Sequence, residues 1–293
     1  MTDLTKWKFR ASQMGRLMAG VKPNLTENQQ KTLNGLLEKK SNGTITDKQL
    51  VTLGDLISKR DAKPQLMATA KTLCREIFQE QFFGRSKNIT NKYLEKGISQ
   101  EEHSLSLYTS VTGNLLFKNE DNFVDDHFTG TPDNIEGKVR DIKTSWDYST
   151  FPFYDSEATN STYIYQLNTY MELTELDSSE LIYCLVDTPF NLVDDELRRL
   201  CWKSGCLSLD SLPKKVMAET VQNLIYTEQG LKDYCHQSAD VEIEWFDSFK
   251  RLRDEDRIKI FDVSYDENII KSMRSQVELA REYFAGIMQD FVN

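Results

Sequence analysis

The stretch that decides the fold is residues 129–146, TGTPDNIEGKVRDIKTSW. Within 138–144 (KVRDIKT), strand alternation sends Val139, Asp141 and Lys143 to one face and Arg140 and Ile142 to the other. Asp141 and Lys143 are therefore neighbours pointing the same way. A turn signal near Glu136-Gly137 predicts a hairpin, with 128–133 (FTGTPD) as the partner strand. Asp133 then sits at the end of that strand, where Pro132 is tolerated. Two readings are open. One is a polar hairpin with an exposed Asp–Lys cross pair, worth at most ~1 kcal/mol. The other is a site for a hard divalent cation, which takes oxygen ligands from carboxylates, water and phosphate.

Working outward, 94–110 reads as a helix. Its phasing puts Glu101, Leu105 and Tyr108 on one face with Gly97, and Glu102 beside the polar Ser106. Glu101 is thus the inward acid, and a buried carboxylate needs a partner such as a metal. Downstream, 161–174 (STYIYQLNTYMELT) reads as a helix with Gln166 and Tyr170 at i, i+4. The pair either lines the same cleft or divides into a solvated Gln166 and a core Tyr170. Residues 180–187 (ELIYCLVD) form the short apolar run of a buried central strand.

At the N-terminal end, RASQMGRLMAG (10–20) predicts a short helix with Leu17 and Met18 on one side. Residues 25–62 are polar and lysine-rich, a pattern of surface helices and loops. Helices are predicted over 64–84, with Leu66, Ala70, Leu73, Ile77 and Phe82 inward, and over 266–291, with Ile270, Met273, Val277, Tyr283, Ile287 and Phe291 inward. The order of elements gives an α/β fold with a central mixed sheet flanked by helices. Trp146, Tyr148, Phe151 and Phe153 follow the central hairpin, placed either to pack where the chain leaves the sheet or to stack on bases.

The totals narrow the function. A chain of 293 residues with 39% hydrophobic and 28% charged content builds a full core. No apolar run reaches the ~20 residues of a membrane span, so no membrane partner is expected. The first residues lack the apolar centre of a signal peptide, which points to the cytoplasm. Five cysteines without a framework spacing argue against disulfides, and three scattered histidines against a zinc site. A net charge of −10 argues against coating nucleic acid through bulk charge, while leaving room for a local basic groove.

Four pieces now stand in order: Gly97-x3-Glu101, Gly130-Thr-Pro-Asp133, Asp141-Ile-Lys143 and Gln166-x3-Tyr170. Together they resemble the PD-(D/E)xK nuclease superfamily, and within it the phage lambda-exonuclease and YqaJ-type viral recombinase branch. RASQMGRLMAG resembles the serine-bearing helix that opens that branch. The resemblance implies a restriction-endonuclease-like core with helical N- and C-terminal additions. It frames 1–293 as one nuclease domain: a mostly helical part over 1–94, a catalytic α/β core over 95–190 and a helical part over 191–293. It implies a metal-dependent 5′→3′ exonuclease acting on double-stranded DNA ends in phage-type recombination, within the host cytoplasm if phage-encoded. A single-strand annealing protein would be its partner, and a homo-oligomer, a trimer ring, its assembly. By position, Glu101, Asp133, Asp141 and the Ile142 carbonyl would hold Mg²⁺, or Mn²⁺ in its place. Lys143 would activate the water with Gln166 in support. Arg10, Ser12 and Arg16 would take the terminal 5′-phosphate. The second acid of the motif is Asp141 where the branch commonly has Glu, though the superfamily admits either, and the lysine-rich insertion 21–62 is unplaced.

Other functions fit parts of the sequence. An iron-sulfur nuclease of the same superfamily would use Cys74, Cys201, Cys206 and Cys235, although these lack the usual tight pair. A structure-specific endonuclease shares the same chemistry. A non-catalytic DNA-end-binding protein suits the acidic charge but has no need of the acid–acid–lysine set.

Overall fold

The structure, a computed structural model, describes residues 3–22, 24–87 and 90–292. In chain order its first elements are β1 (Phe9–Arg10), α1 (Met14–Leu17), α2 (Glu27–Ser41), α3 (Asp47–Arg60) and α4 (Ala68–Phe83). Then come α5 (Lys92–Ser99), α6 (Glu101–Thr112), β2 (Phe123–Val124), β3 (Phe128–Gly130), β4 (Val139–Thr144), α7 (Ser161–Thr174) and β5 (Ser178–Cys184). The last are α8 (Phe190–Lys203), α9 (Lys214–Gln222), α10 (Glu228–Gln237), β6 (Ile258–Ser264) and α11 (Glu267–Val292). No helix among the described residues is long and apolar enough to cross a membrane.

The chain divides into two compact units. A helical unit comprises 1–9, 13–85 and 268–293, and a sheet unit comprises 10–12 and 86–267. In the helical unit, α2 and α3 each start on a capping box, Thr26 with Gln29 and Thr46 with Gln49. They bury Leu25, Leu33, Leu36, Leu53 and Leu56 against each other, a small core of their own within the lysine-rich stretch. α11 buries Ile270, Met273, Val277 and Phe284, whereas Phe291 is exposed. The inward aromatic is thus Phe284 rather than Phe291.

In the sheet unit, β4 pairs in parallel with β5, and β5 pairs antiparallel with β6, so the principal sheet is mixed and β5 is its centre. The register aligns Asp141 with Leu181 and Phe261, and Ile142 with Ile182 and Ile260. Strand alternation then sorts the two faces. Val139, Leu181 and Phe261 pack with Leu167, Tyr170 and Met171 of α7. Ile142, Ile182, Cys184 and Ile260 pack with Leu107 and Tyr108 of α6. Each fully buried Leu or Ile here contributes about 1.5–3 kcal/mol. A separate helical core of α8, α9 and α10 closes around Leu197, Val221 and Tyr234.

Three expectations are revised. The helix over 94–110 is two helices that break at Gln100, so Gly97 lies in α5 and Glu101 opens α6. The segments 128–133 and 138–144 are not a hairpin. β3 pairs with β2 in a second, small sheet, and only the isolated bridge Asn134–Arg140 links it to β4. The helical stretch 191–293 contains β6, the third strand of the principal sheet.

Candidate active site

β4 is an edge strand, so alternate backbone groups along it face away from β5. Arg140 exchanges both backbone bonds with Asn134, and the Ile142 N–H donates to Asp133 Oδ2 at 2.7 Å. Within one strand residue the N–H and C=O point to the same side, so the Ile142 carbonyl faces this same edge beside Asp133. Gly137, with φ 73°, supplies the left-handed turn that returns the chain to β4. Asp133 therefore reaches its place by capping an open edge.

On the α7 face, Asp141 is almost fully buried and its Oδ2 lies 2.6 Å from Lys143 Nζ. That approach is an ion contact outside hydrogen-bond alignment, for Oδ2 receives no hydrogen bond. Gln166 Nε2 donates to Asp141 Oδ1 at 3.3 Å and to the Tyr170 hydroxyl at 3.0 Å. The i, i+4 pair on α7 thus points into the site as a unit. Lys143 Nζ also lies 5.0 Å from the centre of the Tyr163 ring, within cation–π range. On the opposite face Arg140 and Lys138 bind Glu180, at 2.8 and 2.9 Å, and the Tyr108 hydroxyl donates to the same carboxylate.

Electrostatics mark the cluster. Burial pushes the Asp133 carboxyl up to about 7, and repulsion from Asp141 and Glu101 adds to it against the Ile142 N–H and Lys143. Burial alone would lower the Lys143 ammonium, but Asp141 and Asp133 outweigh it and hold its pKa above the ordinary lysine value. Burial, with the Asp141 charge, pushes the Tyr170 hydroxyl up to about 12.

At the start of α6 Glu102 is exposed and Glu101, the acid that helical phasing turns inward, is half-buried. Its carboxylate pairs with Lys118 Nζ at 2.7 Å. Lys118 is a residue that sequence reasoning missed. It comes from a loop clamped to the Asp133 segment by Asn119 N–H to Asp133 O at 2.8 Å and by Asn134 Nδ2 to Phe117 O at 2.9 Å. Among the described residues no three His, Cys, Asp or Glu side chains come together tightly enough to hold a metal ion. The acids nevertheless fit a hard divalent cation in chemistry. All donors are oxygens, Asp141 Oδ2 is buried without a hydrogen bond, and Asp133 is pushed towards its neutral form by burial and then by neighbouring carboxylates.

Arg10 and Ser12 lie together in the sheet unit. With Asn122, Thr129, Gly130, Thr131 and Tyr170 they line a polar cavity of about 370 Å³. Tyr170 connects this cavity to Gln166 and so to Asp141. Gly130 makes the join possible, because a Cβ there would lie 2.6 Å from the Tyr170 ring. Arg16 belongs to the helical unit, where its guanidinium pairs with Glu76 at 2.9 Å. Asn122, whose side-chain oxygen accepts the Thr131 hydroxyl at 3.3 Å, carries no periodic or motif signal in the sequence.

The cysteines proposed for a cluster are free thiols. Cys74 sits in the helical unit, while Cys201, Cys206 and Cys235 lie in or against the helical core of the sheet unit. Of the aromatics after β4, Trp146 and Phe151 are buried, whereas Tyr148 and Phe153 are exposed.

Among solved structures, the chain is similar to a phage-related exonuclease from Haemophilus somnus 129PT, with a TM-score of 0.60 and 21% identity over 98% of this chain and 97% of that one. The chain has an exonuclease fold. It is similar as well to LHK-Exo, an alkaline exonuclease from Laribacter hongkongensis, with a TM-score of 0.51 and 11% identity over 99% of this chain and 92% of that one. LHK-Exo in complex with dAMP matches with a TM-score of 0.52 and 11% identity over 98% and 92%. No family model and no curated protein matches the chain. At the level of fold, these exonucleases bear out the resemblance to the lambda-exonuclease branch.

Proposed function

We propose that the sheet unit is a metal-dependent deoxyribonuclease that removes nucleotides from the ends of linear duplex DNA, running 5′→3′, in phage-type recombination. The observation that carries this reading is the buried Asp141 held between Lys143 and Gln166, with Asp133 on the adjacent strand edge. Mg²⁺, with Mn²⁺ as a substitute, would be held by Asp133, Asp141, the Ile142 carbonyl and Glu101. When bound, the ion polarises the scissile phosphoryl group and lowers the pKa of a ligated water.

The chain's own residues do the rest. Lys143 holds a positive charge beside Asp141, where it orients the attacking water and steadies charge on the phosphate. Gln166 fixes the Asp141 carboxylate and, through Tyr170, ties it to the cavity of Arg10 and Ser12. That cavity would take the terminal 5′-phosphate, and the lambda-exonuclease likeness assigns Arg16 to the same phosphate. The exonuclease fold of the neighbours and the dAMP bound by LHK-Exo support a DNA end as substrate. A ring of three copies and an annealing protein are the assembly that the lambda-exonuclease likeness suggests.

The test is digestion of end-labelled linear duplex and of closed circular DNA, with and without Mg²⁺. Metal-dependent release of nucleotides from the labelled 5′ end, with circles left intact, is the expected result. Cleavage of circles would make the enzyme an endonuclease, and no hydrolysis with either metal would overturn the reading.

A further inference from the structure

Beyond β4 the chain turns through Asp147, whose Oδ1 accepts the N–H groups of Ser149 and Thr150 at 3.1 and 3.0 Å. This turn presents Tyr148, 59% exposed, and leads to Phe153 and Tyr154, 58% and 93% exposed. Phe153 and Tyr154 stand edge to face with ring centres 5.2 Å apart. Opposite them runs the loop 250–253, Lys-Arg-Leu-Arg. The two segments enclose a groove of about 780 Å³ floored by Phe151, Leu185 and Leu252. Three exposed aromatic rings are costly to leave in water, and here they border three cations, Lys250, Arg251 and Arg253, against one carboxylate, Asp256. Asp256 is bound to Arg253 by two hydrogen bonds of 2.8 and 2.9 Å, while Lys250 and Arg251 form no ion pair among the described residues.

We infer that this groove binds single-stranded DNA, stacking bases on Tyr148, Phe153 and Tyr154 and pairing phosphates with Lys250 and Arg251. A polyanion would be repelled by most of a chain of net charge −10, so a local cationic rim selects for one. Exposed rings select for accessible base faces, which a duplex hides in its stack and a single strand offers. Two backbone positions of the groove are tied to the fold. The Leu252 N–H donates to Tyr226 O at 3.1 Å, and Lys259 Nζ to Phe153 O at 3.5 Å.

A row of packed side chains links the groove floor to the candidate site. Lys143 lies over Tyr163, the Tyr163 and Tyr183 rings meet at 6.1 Å, and Tyr183 packs against Phe151 and Leu185 of the groove floor. The strand bound there is the one left when its complement is hydrolysed. This choice of source rests on the exonuclease reading, whereas the binding itself does not.

The test measures anisotropy of a labelled oligothymidylate of about 15 nucleotides in EDTA, against wild type, Y148A/Y154A and K250A/R251A. Removing each ring weakens binding about tenfold. Removing the two cations makes the fall of log K with log salt shallower by about 1.4. A blunt duplex of equal length binds Y148A/Y154A as it binds wild type. All the replaced side chains are exposed, so melting temperatures stay unchanged. Metal-dependent hydrolysis of linear duplex by the wild type is measured alongside. If wild type hydrolyses duplex but both variants bind the oligomer normally, the groove inference falls and the nuclease reading stands. If the variants lose oligomer binding while wild type hydrolyses nothing, the groove stands and the nuclease reading falls.

Discussion

Replacing Gly130 with alanine puts a methyl group into filled space. A Cβ on Gly130 lies 2.6 Å from Cε1 and 3.0 Å from Cδ1 of Tyr170, and 3.2 Å from the Ala11 Cβ. Carbon atoms in comfortable contact stand about 3.5–4.0 Å apart, so the ring must retreat by about 1 Å. Tyr170 has little room, being 6% exposed and bound through its hydroxyl to Gln166. Overpacking of this kind costs about 1–3 kcal/mol. For a chain of this size that lowers the melting temperature by about 2–12 °C. The retreat also pulls on Gln166 and through it on Asp141, and a misplacement of about 1 Å costs on the order of 100-fold in rate. The decisive assay is a double-mutant cycle with Y170A, followed by thermal unfolding. Without the ring, G130A should cost only a few tenths of a kcal/mol, a coupling of about 1 kcal/mol or more. Equal costs of G130A in both backgrounds would refute the reasoning.

Three further outcomes are expected. D141A abolishes metal-dependent hydrolysis while the circular dichroism spectrum keeps its native shape, and full activity in that variant would remove Asp141 from the site. Q166L leaves Asp141 and Tyr170 without their shared donor and lowers hydrolysis about 10–100-fold, measured on linear duplex, with little change in stability. K96M tests a buried cation: Lys96 is fully buried, donates to Trp146 O at 2.8 Å and lies 5.8 Å from the ring centres of both Trp146 and Tyr226. Burial pushes its ammonium down to about 7, against Asp187 and Asp147. At lower pH the charge is present in both folded and unfolded chains, so the burial penalty is fully felt. From there up to the ordinary lysine value, ~10.4, the folded chain releases a proton that the unfolded chain still holds, and stability rises with pH. K96M should therefore raise the melting temperature most near pH ~6 and least near pH ~9. A gain independent of pH would show that no charge-linked penalty rests on Lys96, and a uniform loss that its hydrogen bond to Trp146 outweighs the charge.

What was legible in the sequence was local. The shared face of Asp141 and Lys143 follows from strand alternation, and the inward choice of Glu101 over Glu102 from helical phasing. Gln166 and Tyr170 are linked by one helical turn. The hairpin misled because a turn signal states where the chain reverses, not which strand it then pairs with. β3 found β2, and the bare edge of β4 was capped by Asn134 and Asp133 instead. β6 (IKIFDVS) has no strict apolar alternation, and only its pairing with β5 places it in the principal sheet. The groove beside Tyr148 depends on a loop about a hundred residues further along, whose approach no period in the sequence encodes.

Lys118 is the sharpest example of such a non-local part, and it bears on how the site assembles. Asp133 is fixed to Ile142 and Asp141 to Lys143 and Gln166, so two acids are held by the sheet and by α7. Glu101 alone is held by a loop residue, and that loop is clamped to the backbone of Asp133 through Asn119. The charge of Glu101 already acts on Asp133 while its carboxylate is paired with Lys118. The Asn119 clamp thus ties the loop that carries Lys118 to the backbone of Asp133. The proposed third acid is thus held by a lysine that no motif contains, while the other two are held by the sheet and by α7.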